Sequence, residues 1–178
     1  KLIIMKSNSP FFEKSPLTKY LYIVILLLFS QCHKAQTLTV TGTSWAVPIT
    51  TITEAGTNYS GTYQSAANQV LLAASVPLLL GSAKVSVHYQ ANPTWHNSLV
   101  LSARRTGNGT TVCVLCTITG GTNYQTLTLT DVELFRIAAV LALGSYSNIP
   151  IQLQLSGVSV TIPATTYNSR VVFTISAL

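Results

Sequence analysis

Charged residues are the scarcest class in this sequence of 178 residues. Asp, Glu, Lys and Arg make up only 8% of the chain, and five of the ten basic residues lie at or before Lys34. From Gln36 onward, five basic residues minus three acidic ones give a net charge of +2, spread along the chain. Because nucleic acids are bound by clustered Lys and Arg, we expect no nucleic-acid partner.

Groups suited to catalysis are also few. Residues 36–178 contain three carboxylates and two histidines, His88 and His96. Asp131 and Glu133 are the closest carboxylates, and two residues apart on a strand they would share a face without an evident division into acid and base. No G-x-S-x-G or similar context marks a serine nucleophile. We therefore expect a non-catalytic protein with no cofactor and no metal site.

The N-terminal part has the three segments of an export signal. Lysines come first, an apolar run follows at residues 21–29, and polar residues close the segment. The run is too short to cross a hydrocarbon core of about 30 Å as a helix, and a buried core helix is the alternative. We predict that residues 1–35 are a signal peptide, with read-through residues before Met5, and that residues 36–178 contain no transmembrane span. The protein is then secreted or at the cell surface.

Two processing routes fit this leader. Cleavage after the small residue Ala35 would leave Gln36 first, although His33 is a poor match two positions earlier. Retention of Cys32 as a lipidated N-terminus is the alternative, for which Ser30 fits and Gln31 does not. We favour simple secretion over the lipid anchor.

Alternation of apolar and polar residues with a period of two runs through residues 36–178. It is clearest in TLTVTG, KVSVHYQ and SRVVFTISAL, and turn signals separate such runs every 8–15 residues. This spacing is typical of a sandwich or barrel. We predict a single all-β domain over residues 36–178, with nine to eleven strands in a two-sheet antiparallel sandwich of the immunoglobulin-like or jelly-roll kind, and at most one short helix.

Three segments give more local predictions. The Asn108-Gly109 dipeptide predicts a hairpin that pairs residues 98–105 with residues 110–119. Residues 131–144 have apolar positions near helical spacing, so they form either a short helix or a strand followed by a loop. After Gly157 the alternation resumes, which predicts a further strand.

The CVLC motif allows three interpretations of Cys113 and Cys116. Zinc would need two further ligands, and a redox pair would need a helix N-terminus. On an extended strand the two Cα atoms would be about 10 Å apart, beyond the ~7 Å that a disulfide tolerates. Export favours oxidation, so a disulfide in a tight turn stays open. We favour two buried or half-buried thiols over the disulfide.

Two groups of residues suggest ligand binding. Trp95, in a turn, is expected to be the most exposed aromatic residue, and with neighbouring Tyr89 it could stack on a sugar ring of a polysaccharide. Core packing is the favoured alternative for these rings. Arg104 and Arg105 are expected on opposite sides of a strand, with at least one solvated. A solvated hairpin end is favoured there over an anion site.

The closing residues SNIPIQLQLSGVSVTIPATTYNSRVVFTI resemble the last strands of small exported bacterial β-sandwiches. Their end, IPATTYNSRVVFTI, is similar to the close of spore-coat-U-type and fimbrial pilin-like domains, over roughly the last thirty residues. Those families generally have a disulfide between well-separated cysteines, whereas only Cys113 and Cys116 follow the leader here. The resemblance implies subunits that assemble by lending a strand to a neighbour.

Low charge and Thr-rich strands predict an exported structural or adhesive surface protein, with self-association into a pilin-like fibre or a cell-surface partner. A carbohydrate-binding module is the alternative function. If TLTVTG is the donated strand, Leu38 and Val40 would fill the core of a neighbouring subunit. Pairing of this strand within its own chain is favoured.

Overall fold

The computed structural model describes Tyr20 and residues 36–59, 61–76, 81–139 and 144–178. The predicted signal peptide, Tyr20 apart, and the Cys32 anchor therefore lie outside the described residues. The chain divides into two units, Lys1–Lys34 and Ala35–Leu178. No apolar helix of the length needed to span a bilayer occurs among the described residues.

Eleven strands are described, all of them in the unit Ala35–Leu178. They are β1 (Thr37–Gly42), β2 (Thr62–Gln64), β3 (Val70–Val76), β4 (Ser82–Ala91), β5 (Val100–Arg105), β6 (Thr110–Thr111), β7 (Cys116–Thr119), β8 (Gln125–Thr126), β9 (Val132–Ala139), β10 (Gly144–Ser156) and β11 (Ser169–Ala177).

The strands form two antiparallel sheets. Sheet A has the order β1–β3–β10–β5–β8, with β2 and β6 also paired to β10, and sheet B has the order β11–β4–β9–β7. The described part of residues 36–178 contains no helix. The all-β, two-sheet antiparallel sandwich expected from the alternating pattern is therefore confirmed.

The long strand β10 organises sheet A, because β3 and β2 follow one another along one of its edges and β6 and β5 along the other. Ser65 bridges the interruption between β2 and β3. Its N–H donates to the carbonyl of Leu153, and its Oγ accepts from the N–H of Leu153, both at 2.9 Å. The side-chain amide of Gln152 donates to the carbonyl of Ser65 at 2.9 Å. These bonds keep the sheet edge continuous without regular pairing.

The core lies between the two sheets and consists of alternate residues of the central strands. In β4, for example, Val85 and Val87 are fully buried, as their period-two spacing predicts. Burial of each such side chain contributes about 1.5–3 kcal/mol. The largest fully buried side chains are Phe135, Leu72, Ile137, Ile149, Ile151, Val76, Val85 and Val87.

The helix considered over residues 131–144 is wrong for its described part, since Val132–Ala139 is strand β9. In its pairing with β4, Val85 lies opposite Phe135 and Ser86 lies opposite Glu133, so Leu134 is an extra, bulged residue. Leu134 and Phe135 are both buried. The bulge thus places two adjacent apolar residues inward, and this break in alternation resembled helical spacing.

The hairpin expected at Asn108-Gly109 is also wrong. Strand β5 pairs with β10 and β8, and the short strand after the turn, β6, pairs with β10. Gly109 has a positive φ of 69°, and a Cβ there would meet the backbone at Ser147 and Asn148. The glycine therefore serves a close approach to the bulge in β10, where Asn148 itself has φ 54°.

The strand expected after Gly157 does not form, because β10 ends at Ser156 and residues 157–168 are turns and loop. Side chains satisfy backbone groups in this loop in place of a ladder. The N–H of Val160 donates to Oδ1 of Asn58 at 3.1 Å. Val160 is exposed, although Val158 is buried.

Candidate functional site

The chain reverses direction between β6 and β7. Residues 114 and 115 form a turn, which brings the Cα atoms of Cys113 and Cys116 to 5.4 Å, and a disulfide joins the two residues. The extended geometry expected for this segment is therefore wrong, and so is the preference for two free thiols. The turn could not be read from the sequence, because Val and Leu are not typical turn residues.

Apolar side chains cover the outside of this turn. Val112, Val114 and Leu115 are 92%, 93% and 55% exposed. Cys116, in contrast, packs against the core, and its Sγ would lie 3.4 Å from a Cβ added at Gly144. We call residues 112–116 the apolar turn. It is anchored to the core on one side, closed by a covalent bond, and directs three apolar side chains into solvent.

The first strand after the leader, β1, is the edge of sheet A. It pairs with β3 of its own chain over six residues, from Thr37 opposite Ser75 to Gly42 opposite Val70. Leu38 packs against the core, but Val40 is 46% exposed. The favoured prediction, pairing of this strand within its own chain, is therefore confirmed, and in this pairing Val40 does not fill the core. Donation of β1 to a neighbouring subunit stays a prediction.

The last strand, β11, is the edge of sheet B. Its register with β4 is unbroken over nine residues, from Ser169 opposite Ala91 to Ala177 opposite Ala83. It contains no proline, and Arg170 is its one charged residue. Edge strands usually carry bulges, prolines or several charges that block pairing with another chain. β11 has almost none of these features.

The inward-facing residues of β11 are incompletely covered. Val171, Phe173 and Ile175 pack against the core, yet all three are only half-buried. β1 of sheet A approaches β11 across the sandwich, so both sheet edges lie on the same side of the domain. This side combines two strand edges with partly exposed apolar side chains.

The structure brings Tyr89 and Trp95 together, with ring centroids 5.8 Å apart and planes tilted by 47°. Both rings are half-buried against the core, so Trp95 is not the freely exposed aromatic that its turn position predicts. The indole Nε1 of Trp95 is enclosed and has no hydrogen-bond partner among the described residues. Much of the surface of both rings is therefore used in packing against the core.

Arg105 is a buried cation, which the sequence did not reveal. Its side chain is 5% exposed, and its Nε and Nη2 donate to the carbonyl of Gly120 at 3.2 and 2.8 Å. Nη1 donates to the carbonyl of Gly107 at 3.0 Å and to Oδ1 of Asn108. Burial lowers the pKa of Arg105, while nearby Tyr146 raises it.

Arg104, on the other face of β5, is half-buried. It donates to Oε1 of Gln152 at 3.0 Å and lies 4.7 Å above the ring of Tyr124. The solvated hairpin end expected for these two arginines is therefore wrong for Arg105. The donors of Arg105 are occupied by protein acceptors, and this pair of arginines does not form an open anion site.

The nearest carboxylates each have a partner. Oδ1 of Asp131 lies 2.5 Å from Nδ1 of His88, and Glu133 accepts two hydrogen bonds from Arg136 at 2.6 and 2.8 Å. The hydrogen bond from Arg136 lowers the pKa of Glu133. Within the described ranges no three His, Cys, Asp or Glu side chains are grouped as metal ligands. The two carboxylates therefore serve separate pairs, not one shared site.

Comparison of the chain with protein-family models, curated proteins and solved structures found no match. The apolar turn and the strand edges are therefore the features from which a function can be argued. The resemblance to spore-coat-U-type and pilin-like domains stays a prediction.

Proposed function

We propose that this protein is an exported structural or adhesive surface protein that acts through protein–protein contact and not through catalysis. The observation that carries the proposal is the apolar turn. Contiguous apolar side chains on a protein surface mark interaction sites, whereas single exposed ones need no explanation. Val112, Val114 and Leu115 lie within four residues of one another and are all exposed.

The chemistry of the turn suits a docking element. Full burial of each of its Val and Leu side chains in a partner would contribute roughly 1.5–3 kcal/mol. The disulfide between Cys113 and Cys116 restrains the backbone beforehand, so little ordering entropy is lost on binding. Residues 106–130 contain no Asp, Glu, Lys, Arg or His. A partner surface that is apolar and uncharged would therefore fit this part of the domain.

The charge balance supports association as well. With only eight charged residues in 36–178, long-range repulsion between copies is weak. The closest carboxylates, Asp131 and Glu133, are engaged by His88 and Arg136.

The test compares the exported protein with a variant in which Val112, Val114 and Leu115 are all changed to Ser. We expect the native protein to form assemblies visible by sedimentation and electron microscopy, or to be retained on the producing cells. In the triple variant the assembled or cell-retained fraction should fall at least ten-fold, while the melting temperature is unchanged. Leu129→Ser, at another exposed apolar residue, is the matched control. A native protein that is monomeric and non-adherent would contradict the proposal. So would a triple variant that assembles or adheres as well as the native protein does.

The alternative function is a carbohydrate-binding module. The adjacency of Tyr89 and Trp95 favours it, since two neighbouring aromatic rings can form a stacking platform. Their half-buried position and the enclosed Nε1 of Trp95 reduce the flat surface that a sugar could use. A polysaccharide pull-down that is strong for the native protein and lost in Trp95→Ala, with no adhesion through the apolar turn, would favour this alternative.

A further inference from the structure

The backbone of β11 has a defined set of groups that face away from its own sheet. Beyond the end of the strand, the N–H of Leu178 donates to the carbonyl of Ser82 at 3.2 Å. In an antiparallel ladder, hydrogen-bonded residues alternate with residues whose N–H and C=O point outward. Even-numbered residues of β11 therefore bond to β4. The residues whose backbone N–H and C=O point away from β4, and which we call outward residues, are Ser169, Val171, Phe173, Ile175 and Ala177.

We propose that β11 pairs antiparallel with β11 of a second copy of this chain, centred on Phe173. Sheet B of each copy would then join into one continuous sheet of eight strands. This inference deepens the proposed function, on which it rests, by naming one partner and one contact. In this register Phe173 lies opposite Phe173 of the partner copy, and Val171 lies opposite Ile175.

The hydrogen bonds fit this register without a shift. Phe173, on which the register is centred, has its N–H and C=O pointing away from β4. Every outward residue of one copy therefore lies opposite an outward residue of the other. Val171 exchanges backbone hydrogen bonds with Ile175 of the second copy, Ser169 with Ala177, and Phe173 with the second copy's Phe173. No outward N–H or C=O within the strand remains without a partner, and a two-fold axis relates the halves.

The side chains fit as well. Val171, Phe173 and Ile175 are half-buried on the inward face, and the pairing places apolar residues of one copy beside those of the other. Residues directly opposite in an antiparallel pair have Cα atoms about 5.5 Å apart when hydrogen-bonded, which brings the two phenyl rings into contact. The dimer therefore covers the side chains that the single domain leaves partly exposed.

The charges favour this register over the one centred on Val171. Arg170 lies opposite Ser176 of the partner, so the two Arg170 residues are about 20 Å apart, six residues along the strand. That distance exceeds a Debye length of about 8 Å at physiological salt. Centring on Val171 would place the two Arg170 residues roughly 7 Å apart and would match Phe173 with Ser169. The register centred on Phe173 avoids both conflicts.

The first test blocks the free edge of β11 and keeps its hydrogen bonds to β4. Val171→Pro removes an outward N–H and leaves the bonds between β11 and β4 in place, since edge strands tolerate proline at such positions. By sedimentation equilibrium of the exported protein we expect a native dimer and a monomeric Val171→Pro variant with an unchanged circular dichroism spectrum. A native protein that is monomeric at about 100 μM, or a dimeric variant, would overturn the proposal.

The second test reads the register and does not depend on proline. Ser176→Glu would face Arg170 of the partner twice per dimer and should lower the dimer Kd about three- to ten-fold at low salt. Ser176→Arg should raise the Kd by a similar factor, and Arg170→Glu combined with Ser176→Arg should restore it. Equal dimer Kd values for the two single variants at Ser176 and the double variant would overturn the register. Since Ser176 also lies opposite Lys84 within the chain, melting temperatures of the dilute monomers are the control.

These results are separable from the proposed function. The triple Ser variant of the apolar turn should keep the β11 dimer while losing adhesion or larger assemblies. A native protein that adheres but never dimerises would overturn the edge pairing and leave the proposed function standing. Long assemblies abolished equally by Val171→Pro and by Leu38→Asp would indicate that β1 of a neighbour occupies the edge, which overturns the symmetric dimer.

Discussion

Nη2 of Arg105 donates to the carbonyl oxygen of Gly120 at 2.8 Å, and the same guanidinium reaches the carbonyl of Gly107 at 3.0 Å. One buried side chain thus fastens two glycine-containing loops, residues 106–109 and 120–124, that β6, the apolar turn and β7 separate. The backbone N–H of Arg105 adds a bond to the carbonyl of Gly121 at 2.5 Å. These loops lead into β6 and out of β7, the two strands that flank the apolar turn.

We predict that Arg105→Lys destabilises the domain far more than Arg104→Lys. The guanidinium reaches the Gly107 and Gly120 carbonyls from separate nitrogens, a fork that the single nitrogen of lysine does not reproduce, and each buried acceptor left without a partner costs about 1–3 kcal/mol. The free energy of unfolding, measured in urea, should fall by about 3 kcal/mol for Arg105→Lys. Arg104 is half-buried, so its change should cost less than about 1 kcal/mol. Equal effects would contradict the fastening role.

The second prediction concerns alkaline pH. Burial raises the pKa of Tyr146 above its usual 10.0, and the charge of Arg105 only partly offsets this. Below pH 10 the tyrosine is neutral in both the folded and the unfolded chain, so its ionisation does not affect stability there. As the pH rises from 10 toward the higher folded pKa, the unfolded chain loses its proton first, and folding is progressively disfavoured.

Thermal melting between pH 8 and pH 11 should therefore show a loss of stability that begins near the ordinary pKa of tyrosine, about 10. Tyr146→Phe carries no ionisable proton at this position and should show a smaller loss over the same range. A Tyr146→Phe variant with the same slope as the native protein would assign the alkaline loss to other groups.

Period-two alternation was sufficient to predict the class of fold and the strands whose neighbours are regular. In β11, Val171, Phe173 and Ile175 face the core as their spacing predicts. The pattern failed where an extra residue enters a strand, since bulged Leu134 interrupts the alternation of β9. A bulge depends on the partner strand, and a single sequence does not contain that information.

Long-range contacts explain the other differences. Gly109 follows Asn108 in a typical hairpin signal, but it is required instead by the close approach of β10. The turn that joins Cys113 to Cys116 is held by the pairing of β6 and β7 with separate strands, β10 and β9. Arg105 was misplaced because alternation alone cannot tell that its inward position is lined by carbonyl groups. Because the sequence does not show this turn, its exposed apolar residues could not be distinguished from core residues on the sequence alone.

The third prediction is that the disulfide contributes modestly to stability. In the chain-entropy account, closing a loop of four residues stabilises the folded state by about 2 kcal/mol. Changing both Cys113 and Cys116 to Ser should lower the melting temperature by about 4–8 °C and leave the strand content unchanged. Changing both residues avoids a lone thiol. An unfolded double variant would show that the turn nucleates the sandwich, which contradicts a peripheral, restrained docking element.

Two glycines with nearly the same backbone conformation provide the last prediction. Gly157 has φ 82° and Gly56 has φ 83°, so a side chain at either position is strained by about 1–2 kcal/mol. Their surroundings differ. Within the described part of the chain, a Cβ at Gly56 would have no neighbour within 4 Å, whereas a Cβ at Gly157 would collide with the carbonyl oxygen of Ser98 and lie 3.1 Å from its carbon. Only Gly157 carries a steric penalty in addition to strain.

Gly56→Ala should therefore lower the free energy of unfolding by about 1–2 kcal/mol, and Gly157→Ala by at least about 2 kcal/mol more, since a fixed backbone cannot move aside as a side chain can. Urea unfolding of both variants measures the difference. The N–H of Gly157 also donates to the carbonyl of Gly61 at 3.1 Å, so displacement of this segment would disturb the end of β10 as well. Equal losses for the two variants would mean that the 98–99 segment yields to Gly157, and that this end of the sandwich is not tightly packed.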